Sequence, residues 1–150
     1  MAGIEGIALS AGVAGTLDIA ATGSAMRAQG VPFTRLLQFV ASGALGPSAM
    51  EGGGRTAGMG LALALHFLIA VVWAGVYAIA AGAWPVTLVW PLVCGIVFGI
   101  VVHPVMSRVV VPLSRAAKRP FTWKAWLTQL VIHVVCVGLP IALVQSYWGR

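Results

Sequence analysis

Residues 56–107 read TAGMGLALALHFLIAVVWAGVYAIAAGAWPVTLVWPLVCGIVFGIVVHPVMS, and none of them is Asp, Glu, Lys or Arg. A charge-free run of this length can cross a bilayer twice, since each crossing takes about 20 apolar residues. Gly82, Trp84 and Pro85 divide it. The rest of the chain has the same character. Of its 150 residues 60% are hydrophobic and 8% charged, whereas soluble domains carry roughly 25% charged residues. A soluble core cannot hide this much apolar surface, so the solvent of these side chains is lipid.

Four spans are predicted, over residues 6–26, 56–81, 86–107 and 125–147. Backbone groups in hydrocarbon must bond within their own segment, so each span is expected to be a helix. The expected fold class is therefore an all-α membrane protein with four transmembrane helices, one domain over residues 1–150. The N-terminus lacks the basic region of a signal peptide and carries Glu5. Its apolar run also continues too far for one, so the expectation is that Met1 begins the mature protein. Cys94 and Cys136 fall inside apolar runs and read as small buried thiols rather than a disulfide.

Between the first two spans, VPFTRLLQFVASGALGP (31–47) reads as a short amphipathic helix over about 32–45. Pro32 suits its first turn and Gly46-Pro47 its stop. Phe33, Leu36, Leu37, Val40 and Ala44 form its apolar stripe, with Arg35, Gln38 and Ser42 toward another side. Too short to span, it is expected to lie along the interface or to dip in and return. MEGGGR (50–55) lacks the GK[ST] ending of a phosphate-binding loop and reads as a flexible joint.

Arg27, Arg35 and Arg55 surround the first loop, and Arg108, Arg115, Lys118, Arg119 and Lys124 the third. The second loop has no basic residue, and Arg150 alone lies on the opposite side. The excess of positive charge on one side explains the net charge of +6 better than nucleic-acid binding does. That side is expected to be cytoplasmic, with both termini outside. SRAAKRP (114–120) would hold anionic lipid headgroups. A protein partner is the alternative there, and a membrane-protein partner or a homo-oligomer is an expectation for the chain as a whole. Trp84 and Trp90 near one face, and Trp123 and Trp126 near the other, suit interfacial belts.

GTLDIAAT (15–22) sets Asp18 in an otherwise uncharged helix. Its helical neighbours Ala11, Ala14, Gly15, Ala21, Thr22 and Ala25 are all small. A face of small residues admits another helix, so Asp18 is expected on a packed seam. An unpaired carboxylate in the membrane costs about 2.5–3.5 kcal/mol on insertion scales. It must find a partner, bind a cation or hold a proton. His66, His103 and His133 lie one in each remaining span. Counted along their helices, all four residues fall in a layer roughly 8–15 Å below the basic boundary. Gln129 and Arg35 are the supporting polar residues.

Three inward faces are predicted. Met59, Ala62, His66, Ala70, Trp73 and Tyr77 share one on the second span. Gly95, Gly99, His103 and Ser107 form a ridge on the third, where Gly95–Gly99 is a helix-contact GxxxG. Trp126, Gln129, His133, Cys136 and Pro140 share a face on the fourth. A carboxylate with two or three imidazoles can coordinate a divalent transition metal. The same groups can relay protons, and two facing histidines can ligate a haem. Against these stands a structural role, in which Asp18 bonds a histidine or Arg35 and locks the bundle. No CxxCH, HExxH or GxSxG occurs, and no catalytic residue is assigned.

GVAGTLDIA (12–20), RLLQFVASGALGPSAMEGG (35–53), GLALALHFLIA (60–70), VVVPLS (109–114) and IHVVCVGLPIAL (132–143) resemble a group of small uncharacterised bacterial inner-membrane proteins, loosely of the YagU type. The resemblance covers most of the chain and includes His66 and His133. It implies a bacterial inner-membrane location and a four-helix plan, and no established activity. The expected function is that of a non-enzymatic membrane protein, an accessory subunit or minor permeation component. A haem- or metal-dependent redox subunit is the alternative, and a purely structural partner in a larger complex the third reading.

Overall fold

The structure, a computed structural model, describes residues 3–51 and 56–148, with the backbone alone at Thr56 and Ala57. The triple glycine of the joint, Arg55 and Arg150 lie outside the described residues. Helix α1 runs Ile4–Arg27, α2 Phe33–Leu45 and α3 Thr56–Ala83. Two further long helices follow, α4 over Pro91–Leu113 and α5 over Trp123–Trp148. A 3-10 turn at Pro47–Met50 and a single helical turn at Val86–Val89 complete the list, and no strand occurs among the described residues. The helices α1, α3, α4 and α5 are each long and apolar enough to cross a membrane. Apolar side chains such as Leu68, Val72, Ile79, Val97, Val131 and Val135 cover the outside of the bundle. An exposed apolar surface on this scale is stable against lipid and not against water. The chain is thus an all-α, multi-pass membrane protein.

The third span starts and ends later than the sequence suggests. Expected over 86–107, it begins at Pro91 and continues through Arg108 to Leu113. The cause is Trp90, which sits outside the helical region at φ −117°, ψ 58°. Proline disfavours helical backbone in the residue before it and is at home at a helix start. Residues 86–89 are therefore a separate turn. At the other end Arg108 stays exposed, its guanidinium 5.1 Å from the centre of the Phe121 ring, so the charge does not stop the helix.

Both α4 and α5 contain a wide π-helical stretch, at Met106–Val110 and His133–Gly138. In each the backbone bond spans five residues: Val111 N–H donates to Met106 O, and Leu139 N–H to Val134 O. Each stretch ends two residues before a proline, Pro112 and Pro140. Proline supplies no N–H to the carbonyl four residues back and clashes with it. Widening the preceding turn lets other donors serve the freed carbonyls, which a membrane span cannot leave unpaired. The extra residue rotates everything beyond it. On α5 the buried residues from the end of the stretch onward are Val137, Gly138, Ile141, Ala142, Gln145 and Ser146. Cys136 and Pro140, expected on the inward face, are only partly buried.

Small residues set the packing. α1 lies against α3 and α5, and α5 against α4. Ala11, Ala14, Ala74, Tyr77, Val102 and Ile141 meet in the main core. Gly95 and Gly99 lie directly under the α5 backbone. A Cβ on Gly99 would stand 2.8 Å from His133 O, and one on Gly95 2.9 Å from Gly138 O. On α1, a Cβ on Gly15 would stand 2.8 Å from the Phe67 ring.

The short helix α2 packs on the start of α3 through Leu37 and Ala41 against Ala62 and Met59. Its buried stripe is Leu36, Leu37, Ala41 and Ser42, so Ser42 is inside rather than on the polar side. The reason is a bond made by its hydroxyl oxygen, which accepts from Ala117 N–H at 3.0 Å. Arg115 N–H likewise donates to Gly43 O at 3.0 Å, and the Arg119 guanidinium lies 3.8 Å from the centre of the Phe39 ring. The loop after α4 is thereby fastened onto α2.

Candidate functional site

Asp18 faces inward because Ala14, Gly15 and Thr22, its neighbours on one side of α1, let α3 and α5 approach closely. His66 reaches it from α3. Its Nε2 lies 4.0 Å from Asp18 Oδ2, with side-chain exposures of 14% and 16%. The same Nε2 is 2.8 Å from Gly15 O. A carbonyl oxygen only accepts, so this nitrogen carries the hydrogen, and Nδ1 is the bare acceptor of neutral His66. His133 approaches from α5 with Nδ1 2.8 Å from Gln129 O, one helical turn back. By the same reasoning Nδ1 holds the hydrogen and Nε2 is bare. Two imidazoles are thus fixed in defined tautomers by backbone carbonyls of α1 and α5, a common way of orienting functional histidines.

Between these groups lies a cavity of about 30 Å³, lined by Asp18, His66, His133, Trp73 and Met106 over a floor of Ala14 and Val102. By the usual measure that is room for a water molecule or two. It is far too small for a porphyrin. Trp73 Nε1–H donates to Met106 Sδ at 3.2 Å and closes one wall. Asp18 Oδ1 is buried and has no hydrogen-bond partner among the described residues. Thr22 O–H donates to Gln129 Oε1 at 3.2 Å, one turn from Asp18 toward the basic end.

His103 belongs to a neighbouring cluster. It is 4% exposed, and neither ring nitrogen has a hydrogen-bond partner among the described residues. Its ring centre lies 5.0 Å from that of His133 and 4.9 Å from that of Trp126. Trp126 turns inward, with Nε1 buried and unpartnered, unlike the exposed Trp84, Trp90 and Trp123. Arg35 takes no part. It is exposed, and its Nη1 donates to Met50 O at 2.8 Å, holding the chain after α2. Among the described residues no group of three or more His, Cys, Asp or Glu side chains is placed to hold a metal ion. Cys94 and Cys136 are free, partly buried thiols.

A second polar rung escaped the sequence reading. Gln145 is fully buried, and its Nε2 donates to Ser10 Oγ at 3.1 Å and to Ala74 O at 2.8 Å, tying three helices together. Ser10 lies eight positions from Asp18 on the same face of α1, which was the available signal. Comparison with the models of known families, with curated proteins and with solved structures gives no match. Fold and site together define a four-span helical membrane protein with an acid–imidazole centre inside the bundle.

Proposed function

We propose that this is a non-enzymatic integral membrane protein, an accessory subunit or minor permeation component, whose Asp18–His66–His133 centre holds and exchanges a proton. One observation carries the reading: a buried carboxylate with an unpartnered oxygen stands beside two imidazoles of fixed tautomer, around a cavity of water size. A carboxylate and imidazoles are the groups with which membrane proteins move protons. The resemblance to small bacterial four-helix proteins supports a bacterial inner membrane. The basic loops support a cytoplasmic placement of the α2 side, with anionic lipid at residues 114–120.

Infrared difference spectroscopy of the reconstituted protein between acid and neutral pH tests the centre. The expected result is a carboxylic-acid band that Asp18→Asn removes. Absence of any such band across the range overturns the reading. Element analysis and an absorption spectrum of the same sample examine the redox alternative, which requires stoichiometric metal or a haem band.

A further inference from the structure

The polar groups around Asp18 are unevenly distributed along the bundle. Toward the basic loops further polar side chains follow. Thr22 and Gln129 form a bonded pair one turn on, His103 lies beside His133, and Trp126 Nε1 follows. In the other direction they stop. The next polar rung is Ser10–Gln145, eight residues along α1, about 12 Å away. The space between is filled by Ala11, Ala14, Ala70, Val137 and Ile141, all buried in one apolar cluster. Both bonds of Gln145 are made by Nε2, its Oε1 has no partner among the described residues, and its amide does not titrate to pass a proton on.

We propose that the Asp18 centre exchanges protons with one face of the membrane only, the face bearing α2 and the basic loops, and that His103 is the station between that face and His133. This rests on the proton-holding reading above. His103 suits the task because neither ring nitrogen has a hydrogen-bond partner among the described residues. It takes a proton from water on one nitrogen and releases the proton of the other toward His133 Nε2. The His133 imidazolium then gives its Nε2 proton to the Asp18 carboxylate, and each imidazole ends neutral. The titratable groups facing Asp18 are His66 from α3 and His133 and Cys136 from α5, with His103 behind His133 on α4. A centre with one open side is a loading site, and a continuous channel would need the alanine layer to part.

The full-length protein in vesicles tests this. Trypsin cutting at residues 115–119 reports which face is outside. The acid is added to one side, and the Asp18 carboxyl band is followed in time. A step on the basic-loop side should protonate Asp18 promptly, and an equal step on the other side should do so only as the two compartments equilibrate. His103→Leu should slow the prompt response about a hundredfold, and His103→Gln, which keeps a polar side chain of similar reach, should remain folded and also be slow. Equal speed from both faces, or an unchanged rate in both variants, overturns the inference while leaving the Asp18 centre standing. No Asp18 band in the wild type removes the centre itself.

Discussion

Gly138 of α5 rests against the carbonyl oxygen of Gly95 on α4, so close that a Cβ at 138 would collide with that oxygen. Backbone meets backbone at this crossing with no side chain between. The collision is with main chain, which cannot swing aside as a side chain would, so Gly138→Ala should force α4 and α5 apart. The expected loss is about 1–3 kcal/mol, read as a fall in Tm in detergent. Gly75→Ala is the control. A Cβ there meets nothing within 4 Å, and the change should be neutral or stabilising.

Asp18→Asn should stabilise the protein. The substitution keeps the shape of the side chain and removes a buried charge whose Oδ1 has no hydrogen-bond partner among the described residues. A gain of about 1–3 kcal/mol is expected, together with loss of proton exchange. Thermal melting of the two proteins checks it. An unchanged Tm would mean that the carboxylate carries no cost that a function must justify.

Gln145→Leu should act in the opposite direction. It leaves Ser10 Oγ without its donor and Ala74 O without its side-chain partner, both inside the bundle. Hydrogen bonds between transmembrane helices contribute about 0.6 kcal/mol on average, up to about 1.7 kcal/mol. A destabilisation of about 1 kcal/mol is therefore expected in denaturant titration, with the Asp18 band untouched.

Ser42→Ala should loosen the loop after α4. The hydroxyl oxygen accepts from Ala117 N–H across 75 positions of sequence. Losing it costs about 1 kcal/mol, and tryptic cutting after Arg115, Lys118 and Arg119 should quicken about fivefold when the opened loop is in rapid equilibrium. Timed digestion with the fragments weighed by mass spectrometry gives the answer.

The spans were legible because length and the absence of charge are read directly from residues. So was the alanine and glycine seam around Asp18, since α1 keeps a regular 3.6-residue period from Ile4 to Arg27. The faces of α5 were legible only in its first half. Gln129 lies before the wide turn and His133 at its first residue, and periodicity places both inward. Through it the added residue turns the helix by about 100°, exchanging Cys136 and Pro140 for Val137, Gly138 and Ile141. Pro140 announced that wide turn, and Pro91 announced the late start of α4. The inward turn of Trp126 followed from its place on the face of Gln129 and His133, whereas the link between Ser42 and Ala117 had no such sign. It depends on which segment stands opposite, which intervals along one chain do not encode.

The clasp between α2 and residues 115–119 has a bearing on biogenesis. α2 emerges from the ribosome early, with the first half of the chain, while its partners Arg115, Ala117 and Arg119 are synthesised only after α3 and α4. Until then Ser42 Oγ and Gly43 O lack their partners from the later loop, and the packing of Leu37 and Ala41 on α3 alone holds the segment. Closing the clasp is therefore a late event in maturation, one that joins the two hairpins at one end, and a nascent chain arrested before residue 115 would expose that seam to quality-control proteases.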